Sequence, residues 1–201
     1  MNEGEPTVET VYIADKSLEE LESLFACDIK DDDDFYQVLA YNISQVAPDY
    51  LPQHIGAYSG SRLRGALFGL GCAPEKDDKL RDLIKSFLHH PDPSVVAEAI
   101  DALKNAGNKD LWKDVASLAK HDSPYVRGAV LRYARFALPP EESYPMLINA
   151  LSVDDPIVVQ NALDELGELG KKEVRPQIRP LLKSKDPGIR EAAKAALEAL
   201  R

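Results

Sequence analysis

Apolar residues recur along this chain at helical spacing, and the helical segments themselves recur. RLRGALFGLG from Arg62 is echoed by SVVAEAIDAL from Ser94, YVRGAVLRYA from Tyr125, IVVQNALDEL from Ile157 and GIREAAKAAL from Gly188. The leading apolar residues Leu63, Val95, Val126, Val158 and Ile189 lie 32, 31, 32 and 31 residues apart. A period of this length predicts stacked helical hairpins rather than a closed globule. The pattern places first helices over approximately 79–89, 109–120, 141–152 and 173–184, with stripes such as Leu80, Leu83, Ile84, Phe87 and Leu88. The recurring segments are the second helices of each hairpin.

The turn between the two helices is equally regular. HPDPSV, HDSPYV, VDDPIV and KDPGI set Pro93, Pro124, Pro156 and Pro187 at a helix start, where the missing amide hydrogen costs little and the ring pre-sets φ. Asp92, Ser123, Asp155 and Asp186 precede them and are expected to accept a hydrogen bond from a free helix-start amide. Gly71, Gly107 and Gly170 are expected to close second helices in a left-handed cap. Four residues beyond each leading apolar position stand Leu67, Ala99, Val130, Ala162 and Ala193, mostly small, as close helix approach demands.

The earlier part of the chain is less regular. Residues 1–14 carry no helical period, and Val8, Val11, Tyr12 and Ile13 suggest an extended lead-in. Ser17 and Glu20 form a capping-box pattern ahead of Leu18, Leu21, Leu24 and Phe25. A second helix is expected from Asp33 or Asp34, with Phe35, Val38, Leu39, Ile43 and Val46 as its apolar face and Pro48 closing it. The domain organisation expected is an acidic lead-in over residues 1–16, partly disordered, followed by a single solenoid domain over 17–201 with clear repeats from about 48.

Asp-Pro followed by Val-Arg-x-x-Ala-x-x-x-Leu resembles the HEAT-repeat family, above all the short bacterial HEAT-like repeats of the phycobilisome-lyase type. The resemblance covers residues 48–201 closely and 17–47 more loosely. It implies an all-α fold, a right-handed α-solenoid of about five to six helical hairpins. Arg64, Arg127 and Arg190 match the arginine of the family motif, and each is expected to tie a neighbouring turn carboxylate or carbonyl into the stack.

Charge narrows the functional classes. Residues 1–78 carry 16 acidic and 5 basic side chains, whereas the remainder is almost balanced, and the net charge is −10. Nucleic-acid binding needs clustered Lys and Arg, so none is expected. An acidic part instead suits a basic protein partner. The chain has no apolar stretch of membrane-spanning length, and MNEGEPTVET lacks the blocks of a signal peptide; a cytoplasmic location is expected. Cys27 and Cys72 fit neither a disulfide framework nor a metal motif.

Catalytic chemistry finds little support. The HEAT-like deoxyhypusine hydroxylases that the chain resembles bind iron through His-Glu pairs, and His54, His89, His90 and His121 form none. The run Asp31 to Asp34 lacks the spaced oxygens and glycine of a calcium loop. HEAT-like DNA glycosylases use a basic groove, unlike this acidic chain. There is no nucleophile elbow and no phosphate-cradling glycine loop. No catalytic residue, metal or cofactor is assigned.

Recognition by surface remains. The expected function is a non-catalytic protein-protein interaction module, a scaffold, adaptor or inhibitor/immunity-type protein, gripping a protein or peptide on the concave face lined by second helices. The candidate contacts are Arg62, Glu98, Asp101, Tyr125, Arg132, Tyr133, Gln160, Asn161 and Asp164, with Arg132 and Tyr133 at the centre because Tyr and Arg dominate binding energy. The alternative is a lyase-like or chaperone-like accessory that holds a cofactor or client protein during modification.

Overall fold

A computed structural model describes residues 16–27 and 32–201. The lead-in residues Val8, Val11, Tyr12 and Ile13 lie outside the described residues, as does Asp31 of the acidic run. Among the described residues there is no β-strand. The chain forms two compact units, one ending at Gly107 and the other running from Asn108 to Arg201.

The first unit holds α1 (Leu18–Ala26), α2 (Asp33–Val46), α3 (Tyr50–His54), α4 (Gly60–Gly71), α5 (Asp78–Ser86) and α6 (Pro93–Asn105). Its second helices α2, α4 and α6 stack side by side. The capping box is present: Ser17 Oγ accepts from the Glu20 amide, and the Glu20 carboxylate accepts from the Ser17 amide at 2.8 Å. Those bonds hold the Glu20 carboxyl below its ordinary value. Asp32 opens α2 by accepting from the Phe35 amide at 2.9 Å.

Glycine sets how closely these helices meet. A Cβ on Gly65 would stand 2.5 Å from Tyr36 Cβ, and one on Gly69 would stand 2.7 Å from the Ala40 carbonyl oxygen. Gly71 does not form the expected left-handed cap. It lies inside α4, and a Cβ there would stand 2.8 Å from Ala102 Cα, so its role is close approach to α6. Gly107 and Gly170 do close their helices at φ 84 and 71.

The second unit holds α7 (Trp112–Ala116), α8 (Pro124–Ala137), α9 (Pro140–Ala150), α10 (Pro156–Leu169), α11 (Arg175–Ile178) and α12 (Pro187–Ala199). Here α8, α10 and α12 stack, and α10 and α12 share a core of Val158, Ala162, Leu166, Ile189, Ala193 and Leu200. The register residues Leu67, Ala99, Val130, Ala162 and Ala193 are all buried, as their spacing implies.

Two expectations about the hairpins need correction. The segments 109–120 and 173–184 are not continuous helices: α7 is five residues long, and Pro176 and Pro180 break the other into α11 between two 3-10 turns. A proline removes the amide that an α-helical bond needs. Asp92, Asp155 and Asp186 cap as expected, accepting from Ser94, Ile157 and Ile189 amides at 2.8, 3.0 and 2.9 Å. Ser123 does not cap; its own amide donates to His121 Nδ1 at 3.0 Å.

Candidate functional site

A binding surface on stacked helices is built from whatever the stacking leaves over. In the second unit the stacking claims much of the polar material. Arg127 donates to the carbonyls of His121 and Asp122 and reaches the Asp155 carboxylate at 2.9 Å. Arg132 donates to Asn161, and Arg135 pairs with Glu165, whose side chain is buried. Arg190 repeats the carbonyl half of the pattern, donating to Ser184 and Lys185 at 2.9 Å. In the first unit Arg64 pairs with Asp33 at 2.6 Å. The arginines of the repeat motif thus act as clamps, since one planar guanidinium satisfies several fixed acceptors at once.

Tyr133 is not a surface residue. It is 0% exposed, and its hydroxyl donates to the Asn108 carbonyl, fixing the segment that leads into α7. Burial pushes the Tyr133 hydroxyl up to about 12. Periodicity misplaces it because α8 is buried on two sides, one against α7 and α9 and one against α10.

The other expected contacts divide between internal and outward roles. Arg62 donates to the carbonyls of Ala26 and Cys27 at 2.9 Å and lies over the Tyr36 ring, so it joins α4 to the end of α1. Gln160 packs over Gly188, and Asn161 fills the space that Gly128 leaves while donating to the Ile157 carbonyl at 2.8 Å. Glu98 and Asp101 are half-buried on α6. Asp164 is exposed; partial burial raises its carboxyl above the ordinary value, Arg132 pulls it back and Glu168 adds to the rise. Tyr125 stands out at 58% exposed.

The structure exposes a feature that the spacing of apolar residues conceals. Helical spacing puts Val38 and Val46 in the core face of α2, yet they are 39% and 62% exposed, and Tyr41 is 46% exposed. The core is filled instead by Phe35, Tyr36, Leu39, Ala40 and Ile43. Asp34, Gln37, Val38 and Tyr41 of α2, with Phe68 of α4, line a shallow groove of about 330 Å³. The signal available in the sequence is an α2 too apolar for one face.

The titratable clusters have structural roles. Asp32 caps α2, Asp33 pairs with Arg64 and Asp34 is exposed. His90 Nδ1 accepts from the Asp92 amide at 3.1 Å, as His121 does from Ser123, and Ser184 Oγ accepts from the Asp186 amide at 3.2 Å. One turn position therefore supplies an acceptor in three hairpins. Among the described residues no three His, Cys, Asp or Glu side chains converge as a metal-ligand set. Burial raises the Cys72 thiol, and Cys27 and Cys72 are free cysteines. No helix among the described residues is long and apolar enough to cross a membrane.

Paired helices on a 31- to 32-residue period, proline-opened second helices and arginine clamps define an all-α helical-repeat protein. Residues 80–162 and 144–201 match the family of HEAT repeats, and the chain belongs to it. Among solved structures, a designed armadillo repeat protein in complex with the peptide (KR)4 is similar over 92% of this chain and 91% of its own, with a TM-score of 0.50 and 14% identity. The complex of CpcE and CpcF of phycocyanin lyase from Nostoc sp. PCC7120 aligns over 97% of this chain and 92% of that chain, with a TM-score of 0.45 and 15% identity. No curated protein sequence matches the chain.

Proposed function

We propose that this chain is a non-catalytic protein-interaction module that binds a protein or peptide on the faces of its second helices, in a cytoplasmic setting. The observation that supports it most is the set of large apolar side chains left exposed on those helices: Val38, Tyr41 and Val46 on α2 and Tyr125 on α8. Leucine, valine and alanine at the repeated positions are spent on stacking. The outward positions differ from hairpin to hairpin, which is what a surface selecting one partner requires. Exposed tyrosine beside polar groups suits recognition, because its ring buries area at low entropy cost while its hydroxyl keeps a polar handle.

The proposed contacts accordingly lose Tyr133, gain Tyr41 and keep Tyr125, with Glu98 and Asp101 on α6 and Asp164 on α10 as polar members of the set. The fold is one on which a designed armadillo repeat protein forms a complex with the peptide (KR)4, and the acidic surplus of residues 1–78 favours a basic partner here. Affinity capture from host lysate tests the proposal, using the full chain beside Tyr41→Ala and Tyr125→Ala variants. A retained protein whose binding weakens in either variant supports it. Retention of no protein overturns it.

A further inference from the structure

We infer that the groove between α2 and α4 takes an apolar side chain from a partner segment that carries Lys or Arg within a turn of it. This rests on the interaction-module reading and adds to it the place and the chemistry of the partner. Val38 and Tyr41 are three residues apart on α2, and Asp34 precedes Val38 by four, so all three share one helix face. Phe68 of α4 joins them in the lining. At about 330 Å³ and open to solvent, the groove is shallow; it suits an inserted side chain more than an enclosed small molecule.

Charge identifies the occupant. Helix α2 contains no lysine or arginine. Asp32 is committed to the helix start and Asp33 to Arg64, which leaves Asp34 as the carboxylate lining the groove. In sequence, residues 1–78 hold 16 acidic side chains against 5 basic ones. A partner segment with like charge would be repelled, whereas Lys or Arg beside the inserted residue would be steered in and would pair with Asp34. The same rule disfavours the chain's own lead-in, because residues 1–15 carry Glu3, Glu5, Glu9 and Asp15 and no basic side chain.

The test uses the full chain and a labelled amphipathic Leu/Lys peptide of about four helical turns, with Leu/Gln and Leu/Glu versions of the same peptide. Fluorescence anisotropy is expected to rank them Lys, Gln, Glu. Tyr41→Ala and Asp34→Lys should each weaken the Leu/Lys peptide by about tenfold, while Val153→Ala, at an exposed apolar residue of the second unit, leaves it unchanged. Circular dichroism melts show that the variants are folded, and a photo-leucine peptide should cross-link to α2 or α4. Unchanged affinity in both groove variants, no preference for the basic peptide, or cross-links elsewhere would overturn the inference. A rise in affinity on deleting residues 1–15 would assign the groove to the lead-in, and a dimer abolished by Tyr41→Ala would assign it to a second copy; either overturns it. Lysate capture that survives both groove variants leaves the module and removes only the groove; capture of no protein removes the module itself.

Discussion

A buried hydroxyl is tolerated only with a partner, and Tyr133 shows what that implies for stability. Its neutral phenol is favoured in the folded chain, where burial raises its pKa from the ordinary 10.0 to about 12. The corresponding stability is present in full below the ordinary value and is lost as pH rises towards the folded one. Tyr133→Phe should therefore lower stability by about 1 kcal/mol at neutral pH and weaken the fall in melting midpoint under alkaline conditions. Thermal melts at neutral and alkaline pH check both. Glu165 makes the complementary case. It is 6% exposed and paired with Arg135, so Arg135→Ala removes a charged donor from a buried carboxylate and should cost about 2 kcal/mol in urea unfolding. Adding Glu165→Gln should recover part of the loss. A hydrogen-bonded turn position behaves more mildly: His121→Ser keeps an acceptor where Ser184 already serves in another hairpin, and should be better tolerated than His121→Ala.

At the scale of the element, helix spacing is the quantity that sequence pattern underdetermines. Gly65 presses its backbone against Tyr36, so Gly65→Ala should overpack the α2/α4 contact and lower stability by about 1–3 kcal/mol. Denaturant midpoints measure it. Gly56 is the matched control, because a methyl group added there would meet nothing within 4 Å. The period, the proline starts and the aspartate caps are legible because each is a local preference repeated in register. Pro176 and Pro180 are visible too, yet the regularity of the neighbouring hairpins outweighs their power to break a first helix when pattern alone is weighed. What pattern does not reveal is which apolar residues of α2 and α8 face which neighbour. Both helices contact more than one other helix, so a single-face template sends Val38 and Val46 inward and Tyr133 outward, the reverse of their positions. The candidate contacts Gln160 and Asn161 are half-buried for a related reason: Gly188 and Gly128 open space that these amides fill, and a glycine's neighbour across a helix pair is set by tertiary packing.

At the scale of the whole molecule, stability and charge are distributed differently. Each helix packs chiefly on the next in its stack, as α8 does on α10 and α10 on α12, and in such proteins stability is approximately a sum of repeat and neighbour terms. The second unit has its own core, running from Leu131 and Leu147 through Val158, Leu163 and Leu166 to Ile189 and Leu200. Its arginine clamps, Arg127 to Asp155 and Arg135 to Glu165, close within it. Residues 108–201 expressed alone should therefore retain helical structure and unfold cooperatively, as circular dichroism in urea would show. This fragment lacks the acidic surplus, because residues 108–201 carry 14 acidic and 15 basic side chains. Its unfolding midpoint should accordingly change less with added salt than that of the full chain, whose clustered carboxylates repel one another at low ionic strength. A fragment without a cooperative transition would show that its core depends on residues before Asn108. An equal salt response in both would locate the electrostatic strain outside the acidic first part.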